Sequence, residues 1–385
     1  MANHPPTVVI APDSFKGSIT AIAAAAAIGT GLARVWPDGE RRLCPMADGG
    51  EGTLDALLSR GGRRGMARVQ GASGATLDAA FGLIEADAIA VIEIAQVVSL
   101  TDAAGISVPV ERRSTRGVGE LMRQLLDAGV RDFMLGLGGS STNDAGAGLL
   151  SALGLKLVDA KGRDVEPTPA GFAALAQVDA SVLDPRLAST RITIMSDVDN
   201  PLCGERGATA IFGAQKGVTA GRSAEIDAVL ARFAHLAEKA MGRRAKDRPG
   251  AGAAGGLGFA LQLLGGELRS GAEVVAELLG LDAALEGADW LIAGEGRSDR
   301  QTLLGKAPLV AARHAAAKGV PATLISGSID RTALPELSPH FASCHSLLFG
   351  PATLEECVAN AEGLLGDCAE QLARLFQAAN QEAGG

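Results

Sequence analysis

The chain has 385 residues, and at roughly 150 residues per domain two domains are expected. Lys and Arg number 35 against 44 Asp and Glu, a net charge of −9, which disfavours nucleic acid and anionic membrane as partners but leaves room for a local anion pocket. Glycine is abundant at 51 residues while there are 10 Phe, 2 Trp and no Tyr, which argues against a stacking platform for single-stranded nucleic acid and, with an ordinary 16 Pro, against a collagen-like or disordered chain.

No apolar run reaches the 18 or so residues that span a membrane, and Met1 to Pro6 carries no basic signal-type leader. The five cysteines are an odd number and form no CxxC, so neither a disulfide framework nor a zinc site is expected. The chain reads as a cytoplasmic protein.

In chain order, Thr7–Ala11 is a short buried-type strand ending in Pro12-Asp13-Ser14-Phe15-Lys16-Gly17, and an Ala-rich helix follows from Ala21 to Arg34. A second strand, Arg41–Met46, ends in Ala47-Asp48-Gly49-Gly50-Glu51-Gly52 and leads into a helix reaching about Leu58. Alternating segments at Thr76–Phe81 and Ala90–Ala95 suggest a mixed or antiparallel sheet.

Asp132–Leu137 is a further strand, and Gly138-Gly139-Ser140-Ser141-Thr142-Asn143-Asp144 follows it before a small-residue helix. Glycine there lets backbone N–H groups approach an anion, and a helix N-terminus adds positive potential. No GxxxxGK[ST] occurs, which disfavours a P-loop NTPase.

The strand Arg191–Met195 runs into Ser196-Asp197-Val198-Asp199-Asn200-Pro201, where Asp197 and Asp199 alternate by two. Such carboxylates can deprotonate an alcohol or hold Mg²⁺, or simply make an Asx turn before the proline. Phe212-Gly213-Ala214-Gln215-Lys216-Gly217 sets an amide and an ammonium beside glycines, suited to phosphate oxygens. Gly250 to Gly255 spells GxGxxG, but no strand precedes it, so it is not read as a dinucleotide fingerprint.

Near the end of the chain, Asp289–Ala293 ends in Gly294-Glu295-Gly296-Arg297-Ser298-Asp299, and a helix follows from about Pro308 to Ala317. Pro321–Ile325 and Cys344–Phe349 supply two more strands. With the two N-terminal strands they make a flavodoxin-like parallel sheet of order 2-1-3-4-5. The fold class is therefore α/β: a discontinuous domain of residues 1–64 plus 285–385, with a second, mixed-sheet α/β domain of residues 65–284 inserted into it. Ligands of such sheets bind beyond the carboxyl ends of the strands, so Asp13, Ser14 and Lys16 are expected to face Glu295, Arg297 and Asp299 across one cleft. His4, His235, His314, His340 and His345 lie outside these segments and receive no role.

The ordered blocks Ala11–Lys16, Ala47–Thr53, Gly138–Asp144, Ser196–Leu202, Phe212–Gly217, Pro249–Gly256 and Gly294–Arg297 with Gly305-Lys306 resemble the bacterial type I glycerate kinases over essentially the whole chain. Ser141, Ala145 and Ser196 depart from the residues often found there, and none removes an acid–base or phosphate-binding group. The resemblance implies ATP- and Mg²⁺-dependent phosphorylation of D-glycerate, most often at the 2-hydroxyl, with the 3-hydroxyl as the alternative, in a two-domain enzyme with its active site in the cleft. Asp197 is then expected as the base, with Lys16 and Asp299 in the catalytic group. Asp13, Ser14, Glu295, Gly296 and Arg297 would hold the substrate. The nucleotide would lie on Gly138, Gly139, Ser140, Thr142, Asn143, Asp144, Gln215 and Lys216, and the metal on Asp197 and Asp199. A flavodoxin-like FMN carrier or a small hydroxy-acid sensor are the rival classes; oligomeric state stays open.

Overall fold

The computed structural model of the chain describes residues 5–383, with side chains as far as 379, so His4 and the stretch before it lie outside the described residues. Contacts divide the chain into two compact units. The first comprises residues up to Asp48, Asp55–Arg60 and everything from Ala272 onward; the second comprises Gly49–Leu54 and Gly61–Gly271.

The first unit is built on a five-stranded sheet. In spatial order its strands are Ser343–Ser346, Ala322–Ile329, Trp290–Ser298, Val8–Pro12 and Arg41–Leu43, all parallel. Numbered along the chain, the order is 2-1-3-4-5, the flavodoxin-like arrangement. Val8, Ile10, Trp290, Ile292 and Ile325 form one core with the helices Ala21–Ala33 and Ala361–Ala383. Every residue of Val8–Pro12 is buried, as a continuous apolar run in a covered parallel sheet requires. The alanine run earns its composition here, because the two helices pack so closely that a Cβ on Gly31 would strike the Gly366 carbonyl. Trp290 stacks on Phe376 with ring centroids 4.9 Å apart, and its indole N–H donates to Thr323 Oγ1 at 3.0 Å.

One expectation needs correcting. Gly294 to Ser298 is not a loop after the strand; it is the strand, which runs from Trp290 to Ser298. Pairing Glu295 with Ser326 and Arg297 with Ser328 carries it on. Glycine, glutamate and serine have low β-propensity, and here backbone pairing with an equally irregular neighbour overrides it. That neighbour, Ala322–Ile329, likewise runs past its apolar part.

The second unit holds a six-stranded mixed sheet in the order Glu267–Arg269, Arg191–Met195, Asp132–Gly136, Ile89–Glu93, Thr76–Ile84 and Arg63–Gln70. The first four are parallel, and Thr76–Ile84 runs antiparallel to both of its neighbours. A long helix, Ala220–Met241, contributes Phe233, which stacks on Phe172 at 4.8 Å and meets Phe259 edge-on at 6.3 Å. The helix expected directly after Gly138–Asp144 starts later, at Ala147, behind a left-handed Gly146. No strand precedes Gly250, since helix and turn occupy the approach to it. Among the described residues no helix is long and apolar enough to cross a membrane.

Candidate active site

In the first unit, the strand Val8–Pro12 delivers Asp13 to the carboxyl end of the sheet, where its N–H still donates to the Gly294 carbonyl at 2.8 Å. The chain then folds back on itself: Phe15 N–H donates to the Ile19 carbonyl at 2.9 Å, with Gly17 at φ +77° making the turn. Phe15 is buried and anchors this loop, leaving Lys16 outside with a side chain 62% exposed, its Nζ 3.9 Å from Asp48 Oδ2.

Asp13 itself is buried, and its Oδ1 accepts the Ser14 N–H at 2.6 Å. Burial pushes its carboxyl up to about 7, and repulsion from Asp48 and Glu295 adds to this, against the Ser14 N–H and the Lys16 ammonium. A carboxyl poised there exchanges its proton near neutral pH. Ser14 Oγ is a buried hydroxyl with no hydrogen-bond partner among the described residues, and an orphaned group in such a place is suited to a ligand.

Glu295 arrives from the neighbouring strand. Its Oε1 accepts from Thr302 Oγ1 at 2.6 Å and Ser298 Oγ at 2.8 Å, and Lys306 Nζ stands 3.7 Å from Oε2. Burial raises its pKa, and those two hydroxyls and the ammonium pull the other way. Ser298 Oγ also shares a hydrogen bond with Ser326 Oγ at 2.6 Å, so the carboxylate is held by a polar network rather than left mobile. Gly296 lies against Phe15 and Lys16, where a Cβ would come within 3.3 Å of their backbone. Arg297 is exposed, with Nε 3.5 Å from Asp299 Oδ2, while Asp299 Oδ1 accepts the Gln301 N–H at 2.8 Å.

The structure thus gathers Asp13, Ser14, Lys16, Glu295 and Gly296 at one end of one sheet, with Arg297 further along the same strand and Asp299 just past its end. It adds Asp48, Lys306, Thr302 and Ser326. Asp48 and Lys306 stood inside recognisable blocks of sequence, whereas Thr302 and Ser326 carried no signal of their own.

The second unit presents a different picture. Of the glycine-led loop, Gly139 is exposed and Gly138 half-buried, but Ser140 through Asp144 are buried. Asp144 accepts four hydrogen bonds, from Thr115 N and Oγ1 at 2.8 Å each, Gly146 N at 3.0 Å and Gly148 N at 3.2 Å. Burial raises its pKa against those four donors. Lys216 is also buried, and its Nζ donates to Ser140 Oγ at 2.9 Å and the Thr142 carbonyl at 2.7 Å. Burial pulls that ammonium down to about 7, while Asp144 nearby favours its charged form.

Arg113, which no motif announced, is buried too. It donates to the carbonyls of Val108, Ser141, Lys216 and Ile106 at 2.8–3.0 Å. Asp144, Lys216 and Arg113 therefore hold the loop's shape from within, and Gly138 and Gly139 are the part that can meet a ligand through backbone. Thr142 Oγ1 and Asn143 Oδ1 are buried without partners among the described residues, although Asn143 Nδ2 donates to Thr209 Oγ1 at 3.0 Å.

Glycine in this unit serves mostly to let backbones touch. A Cβ on Gly138 would lie 2.5 Å from Gly50 Cα, and one on Gly136 would strike the Gly49 carbonyl. Likewise, Gly255 abuts the Thr142 carbonyl, Gly256 the Ala145 Cα and Gly252 the Pro201 carbonyl. Four sequence-distant segments are interlocked by these contacts.

Asp197 is exposed at the end of the strand Arg191–Met195, and Gln215 is exposed as well. Asp199 is exposed and paired through both oxygens with Arg206 Nη2, at 3.1 and 3.2 Å. Among the described residues no three His, Cys, Asp or Glu side chains form a metal cage. A Mg²⁺ ion that travels with a nucleotide needs only one or two carboxylates beside phosphate and water. Exposed carboxylates such as those of Asp197 and Asp199 are of that kind.

Comparison with known proteins gives the arrangement a family. The chain is 40% identical over 380 residues to the glycerate kinase of Bacillus subtilis strain 168, covering 97% of this chain and 98% of that one. It is 41% identical over 331 residues to the glycerate 2-kinase of Escherichia coli K12, covering 84% and 85% respectively. A crystal structure described as a glycerate kinase 2 from Salmonella typhimurium LT2 superposes with a TM-score of 0.86 at 39% identity, covering 98% of this chain and 100% of that one. The sequence profile of the glycerate kinase family matches residues 8–377, and the chain belongs to the glycerate kinase family.

Proposed function

We propose that this enzyme transfers the γ-phosphoryl group of ATP to the 2-hydroxyl of D-glycerate in the cytoplasm, giving 2-phospho-D-glycerate, ADP and a proton. The observation that carries this reading is the strand-end cluster of the first unit, in which buried carboxyls with raised pKa stand beside the exposed cations Lys16 and Arg297. Acceptors for hydroxyls next to donors for a carboxylate are what a three-carbon hydroxy acid asks for. Family membership, including a relative named for the 2-kinase activity, supports the choice of substrate and position.

Phosphoryl transfer relies on positioning and charge neutralisation more than on covalent chemistry. In this reading Lys16 or Arg297 holds the glycerate carboxylate, while Asp13, Ser14, Glu295 and Asp299 orient its hydroxyls, with Gly296 giving the substrate room. Asp197 accepts the hydroxyl proton. Gly139 and Gln215 offer exposed groups to phosphate beside the half-buried Gly138, and Ser140, Thr142, Asn143, Asp144 and Lys216 keep their loop in shape. Mg²⁺, when bound with ATP, would supply charge neutralisation at the phosphates; Asp199 would hold it directly and Asp197 through water, which leaves the Asp197 carboxylate able to take the proton.

The test is ADP release with D-glycerate set against L-glycerate, glycerol and hydroxypyruvate, with NMR identifying 2- or 3-phosphoglycerate. Asp197→Asn is expected to cut turnover by about 10²-fold or more with the fold intact. Near-normal turnover would remove Asp197 from the base role.

A further inference from the structure

The first unit carries an apolar cavity that the acid cluster leaves unused. It measures about 230 Å³ and opens directly beside Lys16 and Gly296. One side is built at the carboxyl ends of consecutive parallel strands: Phe15 after Val8–Pro12, Gly296 within Trp290–Ser298, Gly327 within Ala322–Ile329, and Leu347 after Ser343–Ser346. The other side is the helix Leu354–Ala359 and the start of the next, presenting Leu354, Val358 and Leu364.

That short helix is well made but poorly covered. A reciprocal capping box between Thr353 and Glu356 fixes its start, and Ser18 Oγ donates to the Val358 carbonyl at 3.2 Å, tying it to the Phe15–Ile19 loop. None of its side chains is buried, however, and Leu354 is 80% exposed. Helices are held mainly by burial of an apolar face, so this face is built for something the chain itself does not supply.

We infer that the cavity receives the purine base of the nucleotide. Three observations select that occupant. The cavity lies beyond the strand ends around the point where strand order reverses, which is where open parallel sheets bind ligands. Its walls are aliphatic with one aromatic, Phe15, which suits a flat ring burying its faces while its edge meets the hydroxyl of Ser328 at the rim. Its one charged lining residue is Lys16, and an ammonium there complements a phosphate chain leaving the base. The inference rests on the kinase reading above and extends it by assigning the base to the first unit.

The experiment uses the full chain with the exposed substitutions Leu354→Ser and Val358→Asp. The KM for ATP should rise at least tenfold, while the KM for D-glycerate and inhibition by tripolyphosphate, which has no base, stay within twofold. Irradiation with 8-azido-ATP, without D-glycerate, should label a peptide within residues 347–364. An unchanged KM for ATP, a parallel loss of tripolyphosphate inhibition, or labelling confined to other segments would overturn the inference. Absence of D-glycerate-dependent ADP release from the unaltered protein would instead defeat the kinase reading, and the photolabel would still decide what the cavity holds.

Discussion

Asp13 should be a residue whose removal makes the protein sturdier and inactive. Its carboxyl titrates at about 7 in the fold, against 3.8 for an ordinary aspartate, chiefly because it is buried and then because Asp48 and Glu295 crowd it. Since the folded state binds this proton more tightly than the unfolded one, ionisation opposes folding, and Asp13's contribution to stability falls as pH rises from about 4 to 7. At about 1.4 kcal/mol per pH unit, the opposition is on the order of 4 kcal/mol at pH 8 and about 2 kcal/mol at pH 5.

Asp13→Asn keeps the shape and an acceptor for the Ser14 N–H but removes the charge. The variant should gain stability at pH 8, raising the melting temperature of its unit by roughly 10 °C at about 2–4 °C per kcal/mol, with a smaller gain at pH 5. Phosphorylation of glycerate should fall sharply in the same variant. Thermal melts of both proteins at the two pH values, beside the ADP-release assay, are sufficient. A variant equally stable or less stable at pH 8 would show that Asp13 is comfortably ionised, and the assignment of a poised carboxyl to this site would fail.

Two further outcomes follow from the same geometry. Gly255→Ala places a side chain at φ +68° against the Thr142 carbonyl, so it should destabilise by about 3 kcal/mol or more in chemical denaturation. Gly52→Ala, at φ +92° with nothing within 4 Å, should cost only the backbone strain of about 1–2 kcal/mol; equal losses would refute the interlocking of loops. His314 is bracketed by Asp282 Oδ1 at 2.7 Å and Glu273 Oε2 at 2.9 Å; burial works to lower its pKa, but these two bonds outweigh it and the net shift is upward. Its stabilisation is therefore complete below the ordinary 6.5 and lost as pH rises through the higher folded value. His314→Gln should flatten that part of the pH–stability curve, and an unchanged curve would show that the bracket is not ionic.

Much of the fold was legible because parallel strands buried on both faces leave unmistakable apolar runs. Val8–Pro12, Arg191–Met195 and Asp132–Gly136 fall within a residue or so of where periodicity places them. The stretch Gly294–Ser298 was misread because strand pairing there depends on the neighbouring backbone, which no local pattern records. Asp13, Ser14, Lys16 and Glu295 could be gathered from topology alone, since strand order fixes which ends are neighbours. Burial could not. Lys216 and Asp144 look in sequence like groups offered to a ligand, and only the packing of Arg113, Thr115 and three separate loops reveals that they face inward.

The interlocking glycines bear on how this enzyme can change. Gly136 and Gly138 touch Gly49 and Gly50, and Gly255 and Gly256 touch Thr142 and Ala145, so no one of these loops can acquire a side chain at the contact while its neighbour stays fixed. Variation there should be strongly epistatic. A library that randomises one loop at a time would return almost only the parent sequence, while one that varies the contacting pairs together could recover alternatives. If Lys16 and Arg297 hold the substrate carboxylate as proposed, an attempt to alter which acid is phosphorylated would therefore do better to begin at these two exposed side chains.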